Sequence, residues 1–149
     1  MTIEQAIQQK TPFKNEWHRA MVNLMFTSNW IGDQVKSQLK SYDITPQQDN
    51  VLRILRGAGG PISTSDIRDR LLDKMADASR MVERLCQKKL VERNVCPADK
   101  RLVDVVLTEA GARLLTEIDQ HQEMLGSPLN TLSEEEANKL NELLDKIRQ

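Results

Sequence analysis

The chain has 149 residues and a mass of 17.0 kDa, with 39% hydrophobic residues, 29% charged residues and only 6 Gly and 5 Pro. This composition excludes a disordered chain and fits one globular domain with or without an added helical layer. No apolar stretch approaches the roughly 20 residues that span a bilayer, and the first residues lack a secretory signal. Two cysteines cannot build a disulfide framework, so we expect a cytoplasmic protein without membrane contact.

The net charge of −1 hides an uneven distribution along the chain. Residues 1–61 carry a net +2, residues 62–101 a net +3 and residues 102–149 a net −6. The middle of the chain is therefore cationic and its C-terminal third strongly anionic. Because a polyanion is attracted by local charge, this segregation is compatible with a nucleic-acid partner.

A long helix is predicted over residues 13–42. Apolar residues recur there at steps of three, four or seven, the spacing of one helix face, and Trp17, Met21 and Val35 belong to this stripe. At roughly 1.5 Å per residue such a helix is about 45 Å long, more than a domain of this size needs for its own core. We therefore expect it to reach beyond one subunit.

Two shorter helices follow, and each has a recognisable start. Thr45 is the predicted N-cap of the first, with Pro46 in the first helical position, and this helix ends within residues 57–61. Ser63 is the predicted N-cap of the second, with Asp66 three residues later.

The next predicted helix covers roughly residues 75–89, and a β-hairpin follows it. Residues 90–95 and 102–107 have the alternation and valine content of paired strands, and residues 96–101 form a charged tip. Two further helices complete the chain, the first capped by Thr108 and the second by Ser133.

The order of elements in the middle of the chain is helix, helix, turn, helix, strand, charged loop, strand. This is the order of a winged helix-turn-helix, so the predicted fold class is mainly α with a small β-hairpin wing. In such a fold the second helix projects its polar face into the major groove, where side chains reach base edges. A basic wing tip follows the backbone or enters the minor groove, where negative potential attracts arginine.

Residues 79–111 resemble the core of the MarR family of bacterial transcription regulators. Residues 79–85 resemble its recognition helix and residues 90–93 the strand that enters the wing. The residues that match its Asp-x-Arg wing and the Val-x-Leu-Thr-x-x-Gly run are Pro97, Asp99, Arg101, Val105, Leu107, Thr108 and Gly111. The helix order extends the resemblance over roughly residues 13–149. Lys89 departs from the pattern, because family members usually carry Gly at this position.

The resemblance implies an obligate homodimer that binds a pseudo-palindromic operator in double-stranded DNA. It also implies a repressor that small ligands, often aromatic or phenolic acids, release from DNA. The winged part is about residues 45–107 and the dimerisation helices about 13–42 and 108–148, within a single domain of residues 1–149. The apolar surface of the first and last long helices, which exceeds what one small winged domain can cover, independently favours a helical dimerisation region.

Candidate DNA-binding residues lie on the predicted helix over residues 75–89 and at the wing tip. Arg80 and Arg101 occupy the motif positions, while Arg84 either contacts DNA or braces the wing through Asp99. Because phosphate repels a carboxylate, Asp99 is predicted to support the wing rather than to bind DNA. The predicted DNA-binding residues are Lys74, Asp77, Ser79, Arg80, Arg84, Lys100 and Arg101.

The first long helix and its flanks contain every aromatic residue of the chain: Phe13, Trp17, Phe26, Trp30 and Tyr42. This cluster either lines a pocket for a small-molecule effector or packs in the core and the dimer interface. The candidate ligand-binding residues are Trp17, His18, Met21, Met25, Trp30 and, as a counter-charge, Arg53.

Two alternative functions stay open at this point. One is a winged-helix module that binds proteins and not DNA, and the other is a redox-responsive regulator that uses Cys86 or Cys96. Oxidant-sensing members of the family typically carry a cysteine near the start of the first long helix, where this chain has none. We expect neither an enzyme nor a metal or cofactor site, because no acid, base and nucleophile cluster together and His18, His121 and the cysteines are widely spaced.

Overall fold

The computed structural model describes residues 1–95, 97–99 and 103–149 of the chain. The described helices are α1 (Ile3–Ala6), α2 (Glu16–Leu39), α3 (Pro46–Ala58), α4 (Thr64–Arg70), α5 (Ala78–Gln87), α6 (Glu109–Leu125) and α7 (Glu134–Ile147), with a 3₁₀ helix at Lys40–Tyr42. The described strands are β1 (Ile62–Ser63), β2 (Val91–Val95) and β3 (Val103–Leu107). The predicted fold class, mainly α with a small wing, is therefore confirmed. Within the described ranges, no helix combines the length and the hydropathy needed to cross a membrane.

The chain forms two compact units, residues 1–38 and residues 39–149. In the first unit, α1 begins with a capping box between Thr2 and Gln5. The guanidinium of Arg19 on α2 lies 2.5 Å from a carboxylate oxygen of Glu4 on α1. The hydrogen bond from Arg19 lowers the pKa of Glu4 to about 2, so the Glu4 carboxylate that links the two helices is charged at neutral pH.

Helix α2 is shorter than the helix predicted over residues 13–42. The Asn15 side chain accepts a hydrogen bond from the backbone N–H of His18 at 2.9 Å, and the helix begins at Glu16. Phe13 therefore lies outside the helix. At the other end the helix tightens into the 3₁₀ turn, and Asp43 terminates it in the left-handed region with φ 54°.

The second unit contains the core of the winged domain. The four predicted N-caps are confirmed: each of Thr45, Ser63, Thr108 and Ser133 accepts a hydrogen bond from the backbone N–H three residues later. Helices α3, α4, α5 and α6 bury their apolar faces around the sheet. The largest fully buried side chains of this unit are Leu39, Leu52, Ile67, Leu85, Leu115 and Ile118.

The three strands form an antiparallel sheet in the order β1-β3-β2. Val91 pairs with Leu107 and Val95 with Val103, which confirms the predicted hairpin. Strand β1, where Ile62 pairs with Val105, is an addition to the prediction. Two residues are too few to display the alternation that marks a strand, and the second of them, Ser63, is also the N-cap of α4.

The wing is joined to α5 and α6 by a tight junction at Lys89. This residue adopts φ 60°, and the backbone N–H of Leu90 donates to the carbonyl of Leu85 at 3.0 Å, the long hydrogen bond of a Schellman motif. The Thr108 hydroxyl donates to the carbonyl of Lys89 at 2.8 Å. Gly111 of α6 lies so close that an added Cβ would sit 2.3 Å from the carbonyl oxygen of Leu90, which explains glycine at this position.

A network of ion pairs joins α3 to α6. Arg53 contacts Asp49 at 2.8 Å and Asp119 at 2.8 Å, and Arg56 contacts the other oxygen of Asp119 at 2.6 Å. Although burial opposes the charge of Arg53, its hydrogen bonds to the two carboxylates raise its pKa further above the ordinary value. Burial likewise opposes the charge of Asp119, but the two guanidinium groups lower its pKa. Arg53 and Asp119 are therefore charged at neutral pH.

Candidate nucleic-acid interface

Helix α5 begins later than the sequence predicted. Asp77 is its N-cap, and the Asp77 carboxylate accepts a hydrogen bond from the backbone N–H of Arg80 at 3.1 Å. The predicted helix over residues 75–89 is thus shortened to Ala78–Gln87. Lys74 and Asp77, both expected on the DNA-facing side of the helix, lie before its first turn.

The two faces of α5 differ sharply in burial. Ala78, Val82 and Leu85 are buried against the rest of the winged domain. The opposite face exposes the polar side chains Ser79, Arg80, Glu83, Arg84 and Gln87. The helix is therefore anchored by one face and presents the other to a partner.

Arg80 and Arg84 are one helical turn apart and lie on the same exposed face of α5. Within residues 1–95, 97–99 and 103–149, neither side chain forms an ion pair. The choice between DNA contact and wing support for Arg84 therefore stays a prediction. Both cations can approach a phosphate or a base edge without breaking an existing pair.

The other expected residues of the loop before α5 have structural partners. The Asp77 carboxylate is used by the helix cap, which explains an acidic residue beside a cationic surface. The Lys74 ammonium donates a hydrogen bond to the carbonyl of Asp69 at the end of α4, and its side chain remains exposed. Lys74 therefore adds positive charge next to α5 while it helps to close the loop.

The wing tip falls largely beyond what the structure describes. Lys100, Arg101 and Cys96 lie outside the described residues, so the roles predicted for them stay predictions. Asp99 is half-buried, and its predicted support of the wing also stays a prediction. Arg93 on β2 is exposed and adds a cation to the described part of the wing.

The residues predicted to bind a ligand lie on two different helices. Trp17, His18, Met21, Met25 and Trp30 are on α2 and are exposed, with 83% of Trp17 and 63% of Met25 accessible. Arg53 is on α3, where Asp49 and Asp119 already neutralise its guanidinium. The exposed residues of α2 can form the wall of a closed pocket only where another surface covers them.

An open pocket of about 360 Å³ lies at the junction of the wing with α6. Tyr42 supplies an aromatic ring to its wall, Lys88 and Arg113 supply two cations, and Asp43 and Glu117 supply two carboxylates. Lys88 contacts the carboxylate of Asp43 at 3.6 Å. The pocket wall therefore combines an aromatic surface with two cations and two carboxylates, which balance in charge.

The described residues also include potential metal ligands and a free cysteine. Among the described residues, no three His, Cys, Asp or Glu side chains are grouped so that they could hold a metal ion. Cys86 is a half-buried free thiol on α5.

Two residues beside α5 were missed by the sequence prediction. Leu72 and Met75 lie in the loop between α4 and α5, and 87% and 93% of their surfaces are accessible. The sequence does show large apolar residues in the segment Leu71-Leu72-Asp73-Lys74-Met75. A sequence pattern does not distinguish a buried leucine such as Leu71 from its exposed neighbour, because a loop has no fixed periodicity.

A buried helix-turn-helix core, an exposed basic helix and an antiparallel wing define a winged helix-turn-helix protein. A family model described as MarR family matches residues 42–102 of this chain. The chain is 28% identical over 118 residues to the transcriptional regulator MhqR of Bacillus subtilis, which covers 78% of this chain and 81% of MhqR.

Solved structures of similar transcription regulators match a larger share of the chain. Wild-type MarR of E. coli is 31% identical, covering 84% of this chain and 94% of MarR with a TM-score of 0.61. A mutant MarR complexed with operator DNA is 28% identical, with coverages of 92% and 99% and a TM-score of 0.74. BpsR of Bordetella bronchiseptica, whose DNA binding is regulated by 6-hydroxynicotinic acid, is 25% identical, with coverages of 88% and 99% and a TM-score of 0.75. The chain belongs to the MarR family of winged helix-turn-helix transcription regulators.

Proposed function

We propose that this protein is a dimeric repressor that reads double-stranded DNA with α5 and is released from its operator by a small aromatic acid. The observation that carries the proposal is the face of α5 on which Arg80 and Arg84 are exposed and unpaired within the described residues. The opposite face is buried, so the helix is held rigidly enough to enter a major groove. The complex of E. coli MarR with operator DNA supports the same use of the fold.

In this proposal, α5, the wing and the loop before α5 each contribute to DNA binding. Arg80 and Arg84 contact base edges or phosphates, and Ser79 hydrogen-bonds to phosphate or a base. Arg101 and Lys100 extend the contact to the minor groove or to phosphates through the wing, with Asp99 as support. Lys74 contributes positive charge near the backbone, whereas Asp77 acts through the helix cap.

Exposed apolar side chains on the dimerisation helices support a second copy of the chain as a partner. Trp17 and Met25 on α2 are largely accessible, and so is Ile147 on α7, at 68%. Covering each of these side chains is worth roughly 1.5–3 kcal/mol in transfer free energy. Two copies related by a two-fold axis would bury these surfaces and set two α5 helices against a pseudo-palindromic operator.

The effector belongs to the same proposal. The aromatic cluster of α2 suits the ring of a small aromatic acid, and the open pocket offers the ring of Tyr42 with the cation of Arg113 or Lys88 for the carboxylate, beside Asp43 and Glu117. The regulation of BpsR by 6-hydroxynicotinic acid supports this ligand class. We place the protein in the cytoplasm, where its DNA lies, and assign it no catalytic role.

The DNA-binding part is tested by enrichment of binding sequences from a random pool of duplexes with the full-length protein. We expect one inverted repeat to be enriched, and its affinity to exceed that of a scrambled duplex by at least about 10³ at physiological salt. Affinity should fall linearly with salt on a log–log scale, because phosphate contacts release counterions. Equal binding of enriched and scrambled duplexes would leave only a nonspecific cationic surface, and no binding would favour the protein-interaction alternative.

The effector part is tested with a panel of benzoic, hydroxybenzoic and hydroxypyridine carboxylic acids. A true effector should bind saturably and weaken operator binding by the same factor by which DNA weakens effector binding. Trp17 and Trp30 both lie on α2, so saturable changes in tryptophan emission report on that helix. Lys88→Gln tests the open pocket separately: loss of the response in this variant assigns the effector there, whereas an unchanged response assigns it to the α2 cluster.

A further inference from the structure

The loop between α4 and α5, residues 71–77, displays two large apolar side chains next to a charged surface. Leu71 is 2% accessible and anchors the loop, whereas Leu72 and Met75 are almost completely exposed. Single exposed apolar residues are ordinary on protein surfaces. Here two of them lie in one short loop, immediately before the helix assigned to DNA, and are available to an apolar partner.

The backbone of this loop is fixed by hydrogen bonds. The backbone N–H of Leu72 donates to the Asn50 side chain on α3 at 3.0 Å. The backbone N–H of Met75 donates to the Asp73 carboxylate at 3.0 Å, and that of Ala76 to the carbonyl of Asp73 at 3.3 Å. The exposed side chains are therefore presented from an anchored turn, which lowers the entropy lost when a partner binds them.

Met75 is the large exposed apolar residue nearest to the N-terminal end of α5. It precedes the N-cap Asp77 by two residues, so its Cα lies within about 7 Å of that of the cap along the chain. The N-terminal residues of a recognition helix are those that approach base edges in the major groove. Asp73 and Asp77 on either side of Met75 accept backbone hydrogen bonds from Met75 and Arg80, whereas the Arg80 side chain beyond the cap is exposed. This exposed cation in the first turn of α5 favours DNA as the partner of the loop.

The major groove presents one apolar group to a protein, the 5-methyl group of thymine. We propose that Met75 contacts a thymine methyl group beside the bases read by α5 and thereby contributes to operator specificity. The flexible thioether side chain suits such a contact, because it adapts to a small apolar target. This inference rests on the proposed function and deepens it, since it names a base feature that the charged residues of α5 do not read.

The experiment replaces thymine by uracil, which removes only the methyl group. The duplex enriched by the full-length protein is synthesised with uracil at each thymine of one half-site in turn. At one position, uracil should weaken binding of the natural protein about fourfold, the effect of one buried methyl group. Met75→Ala should bind the thymine duplex about fourfold more weakly for each half-site, or about sixteenfold for the dimer, and should no longer distinguish thymine from uracil at that position.

Met124→Ala is the matched control. Met124 is 85% accessible but lies on α6, away from the loop before α5, so this variant should keep the full preference for thymine. Circular dichroism confirms that both variants are folded, and neither substitution removes a buried side chain. If Met75→Ala still discriminates thymine from uracil, or if no thymine can be distinguished from uracil by the natural protein, the inference is wrong while DNA binding stands. Failure to enrich any duplex would instead overturn the proposed function itself.

Discussion

Lys89 holds a backbone conformation that suits glycine and not lysine. Its φ of 60° places it at the left-handed position of the Schellman motif that ends α5. A residue with a Cβ pays roughly 1 kcal/mol or more for this conformation. The departure from the family pattern noticed in the sequence is therefore a position where the chain is less stable than it could be.

Lys89→Gly should raise the free energy of unfolding by about 1 kcal/mol, because glycine adopts φ > 0 without steric cost. Urea unfolding at fixed protein concentration measures the change, since a dimer's apparent stability depends on concentration. Lys89→Ala is the control, because it removes the charge but keeps the Cβ, and it should leave the stability nearly unchanged. Equal stabilisation by both variants would assign the effect to charge and not to the backbone.

At the scale of single residues, the sequence predicted local interactions well and distant ones poorly. Thr45, Ser63, Thr108 and Ser133 were identified as caps because a cap requires only the residues within one turn. The role of Arg53 was not identified, because Asp119 lies 66 residues away. A counter-charge for a ligand and a counter-charge for a neighbouring helix look the same in sequence.

The ion pairs between α3 and α6 depend on the charge of Asp119, which accepts hydrogen bonds from Arg53 and Arg56. Asp119→Asn keeps the size of the side chain but removes its charge. It should lower the free energy of unfolding at pH 7 by about 1 kcal/mol, a modest value because the group is partly exposed.

The effect of Asp119→Asn should depend on pH in a defined direction. The two guanidinium groups hold the pKa of Asp119 below its ordinary value of 3.8, so its stabilising contribution is complete above that value. The difference between the variant and the natural protein should be constant from pH 7 to pH 5 and shrink as the pH falls below about 3.8. Asp145→Asn, which alters the exposed pair with Arg148, is the control and should change stability little at any pH. Denaturant unfolding at several pH values measures both, and a difference that grew on acidification would contradict the assignment.

Helix α5 makes the central contact in the proposed complex. Arg80→Ala should weaken operator binding by about tenfold or more, since a base or phosphate contact is worth roughly 1–3 kcal/mol. If Arg80 contacts phosphate, the slope of log affinity against log salt should also become shallower by about one for each subunit. Arg148→Ala removes the same charge from the residue that follows α7 and should leave both quantities unchanged. A folded Arg80→Ala protein with natural affinity and slope would remove α5 from the interface.

At the scale of elements, type and order were predictable but the ends were not. The helices, the hairpin and their order follow from periodicity and from turn residues, and the structure confirms them. Helix α5 ends up shorter than predicted because Asp77 caps it after the loop, and α2 begins at Glu16 because Asn15 caps it. Helix α1 was missed although Thr2 and Gln5 have the spacing of a capping box, because four residues carry no periodic signal.

In the proposed assembly of the whole molecule, two copies of the chain set two α5 helices into successive major grooves of one operator. The sequence already indicated which part would face DNA, because residues 62–101 carry a net +3 and residues 102–149 a net −6. The sequence also predicted surplus apolar surface on the first and last long helices, but only the structure shows which of their side chains are exposed, among them Trp17 and Ile147. Periodicity alone could not show this, because it marks a buried face without saying what buries it.

Hydroxyl-radical footprinting of the full-length protein on its enriched duplex tests this claim most directly. Two winged domains related by a two-fold axis should protect two patches on each strand, centred about one helical turn apart and symmetric about the middle of the inverted repeat. A single protected patch on a saturated duplex, or two patches without that symmetry, would show that the protein does not bind its operator as a two-fold dimer.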